Sequence, residues 1–186
     1  ELTELFTVER VNSSPARFDM KKLEAINGDK IRTLSLAEFL NRSLPFLLRE
    51  NVITGSEDEV SLVKKALPII QERIIKLSEV VPMLSFLFKK KLEFDEETKS
   101  RIKESDSQNV LKSAIASLET LSEWKHTHIE EALRKSLLDG LGLKPRLAFG
   151  PVRIAVTGSP ISPPLFESME LLGREVSMQR IREAIG

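Results

Sequence analysis

The residues best placed for chemistry lie near the C-terminal end, in the stretch PVRIAVTGSPISPPLFESMELLG from Pro151 to Gly173. Gly158 follows a β-branched run, and a glycine there could cradle a phosphate if backbone amides wrapped around it. That chemistry needs three spaced glycines or a Gly-Lys-Ser/Thr ending. VTGSPISPPL has one glycine and three prolines, and proline has no amide to donate. A dinucleotide-binding loop is rejected. Read locally, Pro151 starts a short helix, Gly158 ends it, and residues 159–164 form a stiff loop. Ser162 is predicted to cap the next helix, with Pro163 at its first position. Such a loop presents backbone groups and small side chains in a fixed arrangement, which suits the reading of unstacked bases. It also suits a rigid inter-helix turn, which local chemistry alone favours.

The other candidates carry less. His126 and His128 form His-x-His beside Trp124, with no cysteine and no third obvious ligand, which is a poor metal site. Trp124 could stack on a base, but a tryptophan at a helix end more often packs in a core. The chain has no Gly-x-Ser-x-Gly, no His-Glu-x-x-His and no cysteine nucleophile. The clusters Glu57-Asp58-Glu59 and Asp95-Glu96-Glu97 stand where helix N-termini favour negative charge. No catalytic residue and no metal ligand is expected.

The elements that would position these residues are helical. Asp19 caps MKKLEAIN and Gly28 is expected to end it. Ser35 with Glu38, Ser56 with Glu59, and Thr127 with Glu130 form capping-box patterns. Val60, Val63, Leu67, Ile70, Ile74 and Leu77 stripe one long helix, with a kink or break expected at Pro68. Asp95 caps a polar helix to about Glu104, and Val110 to Leu121 stripes another. Leu165, Met169 and Leu172 stripe a helix that Gly173 ends, and Ile181, Ala184 and Ile185 mark the last. Only Leu5–Val11 and Val152–Val156 have strand character, too little for a parallel sheet. The expected fold is all-α, in two helical bundles. The change from the apolar VPMLSFLF to charged punctuation near Lys90 is the expected domain boundary.

Composition narrows the class further. Hydrophobic residues at 41% and charged residues at 30% describe a globular chain. The 28 basic residues are matched by 28 acidic ones, without the basic excess of a protein that coats duplex DNA. Absence of cysteine fits an intracellular protein, and no apolar run approaches the length of a membrane span. The chain opens at Glu1 within ordinary sequence, as expected of a fragment or a processed chain.

Two segments in register carry a resemblance. LFTVERVNSSPARFDMKKLEAING is similar to the segment just after the catalytic region of bacterial glutamyl-tRNA synthetases, through Phe18-Asp19, Lys22-Leu23 and Asn27-Gly28. Pro151, Arg153, Ala155 and Thr157-Gly158, followed by Pro163, Leu165-Phe166-Glu167 and Leu171-Leu172-Gly173, resemble that family's C-terminal signature. The likeness runs from about Leu5 to the end, in the family's order.

The resemblance implies two helical anticodon-binding subdomains, at 31–90 and 91–186, after the end of a stem-contact domain at 1–30. It implies a full-length glutamate–tRNA ligase that uses ATP and Mg and is monomeric and cytoplasmic. The partner is the glutamate tRNA, with the glutamine tRNA as a second candidate, and neither DNA nor a membrane. Both ATP-binding motifs of that enzyme class are missing here, so no cofactor is expected on this chain and it should be inactive alone. Carried over by position, Arg73 matches the arginine that reads the last anticodon base. Arg153 matches the signature arginine, and Ser162, Pro163 and Leu165 match the loop that holds the first two bases. Lys144, Arg146 and Arg174 are candidates for phosphate contacts. The competing reading is an all-α protein-interaction domain with no RNA role. What separates the two is whether Arg73, Arg153 and Leu165 converge on one exposed face.

Overall fold

The structure, a computed structural model, describes residue 7 and residues 19–185. Among these residues there are helices and connecting turns but no strand, as the all-α expectation requires. The strand candidate at 5–11 and Phe18 lie outside the described residues, Thr7 apart. The first helices are α1 (Met20–Arg32), α2 (Leu36–Arg49) and α3 (Glu57–Gln71), followed by α4 (Val80–Leu84) between two 3₁₀ turns. The second group is α5 (Glu96–Lys103), α6 (Ser105–Glu119), α7 (His126–Leu133), α8 (Pro145–Thr157), α9 (Leu165–Leu172) and α10 (Arg174–Ile185). A π-helical segment, Arg134–Gly140, continues α7.

Each group has its own core. Phe39, Leu47, Leu67, Ile70 and Ile74, all fully buried, centre the first. Leu111, Leu118, Ile129, Leu133 and Met169 centre the second. The two lobes meet where α9 packs on α3, with Leu171 set against the first core.

Capping explains the helix starts where the signal is local. Asp19, Ser35, Ser56 and Asp95 each accept from an amide of the following turn, which satisfies donors left free at a helix start. At α3 the Glu59 carboxylate accepts from the amides of Thr54, Gly55 and Ser56 and from the Thr54 hydroxyl, at 2.8–3.1 Å. Led by the Thr54 hydroxyl, these bonds hold its carboxyl down at about 2.

Four local expectations are corrected. Pro68 does not break α3, which ends instead at Gln71, so Ile74 and Leu77 of the stripe lie beyond it. Gly28 does not end α1, which runs on to Arg32 across the expected boundary at 30/31. A Cβ there would meet Ile75 Cγ2 at 3.2 Å, so the glycine serves close approach. Thr127 does not cap α7: the helix starts at His126, whose amide is taken by Glu170 of α9 at 2.8 Å. The run Val152–Val156 is the interior of α8, which Pro145 opens, and Pro151 lies inside that helix. Its β-branched residues are buried on opposite sides of the helix, Ile154 across from Val152 and Val156, and tertiary packing overrides their intrinsic preference.

Candidate functional site

The turn after α3 carries Arg73, and several distant groups hold it. The Arg73 amide donates to Ile70 O at 2.9 Å, and Ile74 is fully buried beside it. Next along, the Ile75 amide donates to Glu79 Oε2 at 3.0 Å, and the Asn27 side-chain amide of α1 donates to Ile75 O. Lys76 pairs with Glu24 at 2.7 Å. The backbone on both sides of Arg73 is therefore fixed, while its side chain is exposed and pairs with no carboxylate among the described residues.

The loop after α8 is fixed from within. Gly158 ends the helix in the left-handed region, at φ +79°, where a side chain would be strained. The Thr157 hydroxyl donates to Arg153 O at 2.8 Å, and the Ile161 amide donates to Ser159 Oγ at 3.1 Å. Arg153, half-buried on α8, reaches across the loop: one terminal nitrogen donates to Ser162 Oγ at 2.6 Å and to Pro163 O at 2.8 Å. Ser162 therefore braces Arg153 and does not cap a helix. Helix α9 starts two residues later than expected, at Leu165, and Ser168 returns a hydroxyl to Pro164 O at 2.7 Å.

The site residues differ in exposure. Ser162, Pro163 and Leu165 are buried, Leu165 to 3%, so their side chains shape the loop from behind. Arg73 lies close enough to Arg153 to repel it, but with Leu165 buried and Arg153 half-buried the three do not share one exposed face. Burial lowers the Arg153 pKa most, repulsion from the Arg73 guanidinium lowers it further, and Glu167 acts in the opposite sense. Two cations from different lobes thus lie near each other, one of them bonded to the loop, with the Glu167 carboxylate in partial opposition. Three of the loop's six residues are prolines, which removes amide donors and leaves carbonyl acceptors. Arginine supplies only donors, so the turn and the loop offer complementary edges.

Some signals lead elsewhere. The Arg174 guanidinium is engaged within the chain: it donates to the carbonyls of Leu118, Glu119 and Leu121 at and just after the end of α6. Trp124 packs against the second core and donates to Met169 O at 2.8 Å, with Arg174 over its ring. His126 Nδ1 lies 2.5 Å from Glu170, an interaction that joins α7 to α9. Lys144 and Arg146 are exposed at the start of α8. Sequence reasoning missed Ile161, which is 74% exposed at the loop tip. The available signal was an apolar residue between Pro160 and Ser162 with no helical partner.

The site is thus a cation-bearing turn and a proline-rich loop on an all-helical scaffold of two lobes. Residues 38–185 match the family model described as the anticodon binding domain, and the chain belongs to that family. It is 47% identical over 189 residues to a glutamate–tRNA ligase of Saccharopolyspora erythraea, a match that covers 100% of this chain and 38% of that protein. It is 46% identical over 190 residues to the glutamate–tRNA ligase of a Nocardioides species, covering 100% of this chain and 39% of that one. The chain thus spans less than two-fifths of the curated relatives it matches. Among solved structures, a glutamate tRNA ligase from Elizabethkingia meningosepticum in complex with its amino acid superimposes with a TM-score of 0.75. That match covers 97% of this chain and 35% of the other at 22% identity, and is a likeness of fold. Among the described residues no helix is long and apolar enough to cross a membrane.

Proposed function

We propose that this chain reads the anticodon of a glutamate-accepting tRNA, as the C-terminal part of a glutamate–tRNA ligase. The observation that supports the reading is the nearness of Arg73, in the first lobe, to Arg153, which braces the loop at 159–164 from the second. Arg73, exposed on a pinned backbone, offers its guanidinium fork to the acceptor edge of the last anticodon base. Arg153 braces the loop through Ser162 and Pro163, and Leu165 anchors the loop to the core. The loop's backbone then meets the edges of the first two bases, with Ile161 as an apolar surface for an unstacked base.

Several finer points belong to the same reading. Subdomains near 31–90 and 91–186 are supported by the two separate cores; the end of a stem-contact domain at 1–30 belongs to the same reading, with α1 running on across that boundary. Attachment of glutamate to tRNA, with ATP and Mg, belongs to a catalytic part that this sequence does not include. A cytoplasmic, monomeric ligase is the setting, and the glutamine tRNA is a second partner to be tested beside the glutamate tRNA.

The test is binding of this chain to the glutamate tRNA and to an anticodon-swapped transcript at two salt concentrations. A cognate preference that falls about tenfold in Arg73→Ala, or about 1.4 kcal/mol, supports the reading. Equal and steeply salt-dependent binding to both transcripts would reduce the contact to charge attraction and overturn it. No binding at all would leave the family membership standing and assign most of the affinity to the rest of the ligase.

A further inference from the structure

Arg180 on α10 is a guanidinium buried to 6% exposure. One terminal nitrogen donates to Val156 O at 2.7 Å. The other donates to Phe86 O at 2.9 Å and to Lys89 O at 2.6 Å. Val156 belongs to the last turn of α8, just ahead of Gly158 and the loop. Phe86 and Lys89 belong to the end of the first lobe. One side chain thus bridges carbonyls of both lobes from a third element.

The arrangement is a poor choice for stability alone. Arg180 forms no ion pair with a carboxylate among the described residues, and its Nε is buried without a protein acceptor. Burial is the main cause that lowers its pKa, with Glu183 acting weakly against it. Taking a charge out of water is costly, and without a carboxylate partner nothing but the carbonyl dipoles offsets it. What an apolar residue lacks is direction: a rigid fork fixes the angle and distance of the groups it binds. The packing of α9 on α3, where Leu171 meets the first core, is apolar, and apolar attraction is non-directional.

We propose that Arg180 is a positioning residue that fixes the two lobes against each other, and with them the spacing between Arg73 and the 159–164 loop. Its consequence for RNA rests on the anticodon reading above; the mechanical part does not. Without the fork the lobes stay joined through Leu171 but sample several registers, and Arg73 no longer meets the last base while the loop holds the first two.

The chain has no cysteine, so spin labels can be attached at Lys65→Cys on α3 and Lys112→Cys on α6, both exposed. Pulsed electron-spin measurements should give one narrow distance in the parent. Arg180→Met should broaden the distribution about twofold with unchanged helix content, and Arg180→Lys should restore part of it, since lysine keeps the donors but loses the fork. Should Arg180→Met not fold, Arg180→Lys against the parent is the deciding pair. An unchanged distance distribution overturns the proposal, whatever the RNA result. In parallel, Arg73→Ala should cost about tenfold in anticodon preference in the parent and less than about twofold in the Arg180→Met background, the non-additivity of coupled sites. An equal cost in both backgrounds also overturns the proposed spacing role. A parent with no Arg73-dependent preference sinks the anticodon reading and leaves the distance measurement to judge the latch.

Discussion

Arg73 stands on a turn held by groups remote in sequence: Asn27 from α1, Glu79 from the following 3₁₀ turn, and the buried Ile74 beneath. The 159–164 loop is held by its own neighbours, with Thr157 and Arg153 from the preceding helix and Ser159 and Ser162 from within. The first turn keeps its shape only while the first lobe is folded around it. The loop carries its shape in a dozen consecutive residues, with prolines that reduce the entropy lost on ordering. Two halves of one interface therefore depend on different things: tertiary packing for one, local covalent and hydrogen-bond chemistry for the other.

The contrast can be broken from either side. Ile74→Ala has the largest expected effect, a destabilisation of about 2–5 kcal/mol for a fully buried aliphatic side chain. Its thermal transition should fall, and anticodon preference at the base facing Arg73 should fall with it, while contacts to the loop survive below the transition. Gly158→Ala attacks the other half. It forces a side chain into a left-handed backbone, at about 1–2 kcal/mol, with Leu92 Cδ2 only 3.4 Å from the new Cβ. Binding should weaken for every anticodon base held by the loop, leaving the Arg73 contribution in a mutant cycle unchanged.

Asn27→Ala removes one pin from the first turn and should cost about 0.5–1.5 kcal/mol. Proton exchange at the Ile75 and Lys76 amides should quicken more than in the loop, and equal quickening in both would contradict the division. The smallest effect concerns the start of α3, the helix that leads to Arg73. The Glu59 carboxyl titrates near 2 when folded, below its ordinary 4.5. Its contribution to stability is therefore complete above about pH 4.5 and is lost as the pH falls toward 2. Glu59→Gln should flatten that part of the acid-unfolding curve, as followed by circular dichroism. A curve that keeps its slope would assign the acid sensitivity to other carboxylates.

The same division separates what could be read from sequence. The starts of α1, α2, α3 and α5 were legible because a capping side chain and its amide lie within four residues. The end of α9 and the stop at Gly158 were legible because glycine alone accepts that backbone cheaply. The start of α7 was not, because Glu170 approaches from α9. Gly28 looked like a helix stop because its close neighbour, Ile75, is distant in sequence. At the site, Arg73, Arg153 and the loop were found by position in a family pattern. The burial of Leu165 and the exposure of Ile161 depend on how helices pack, which no local spacing encodes, and the brace from Arg153 to Ser162, though local, spans nine residues of an irregular path without a periodic signal. Arg180 gave no signal: its acceptors are backbone carbonyls, which every residue has.

The proximity of Arg73 to Arg153 also has a thermodynamic consequence for the free chain. Folding brings two positive groups together that the unfolded chain keeps apart, so the native state carries an electrostatic load with Glu167 as partial relief. Any anion that settles between them binds the native state and not the unfolded one, and raises the melting temperature in proportion to the logarithm of its concentration. The interface thus reports its own occupancy as heat resistance, even to a ligand as plain as a polyphosphate.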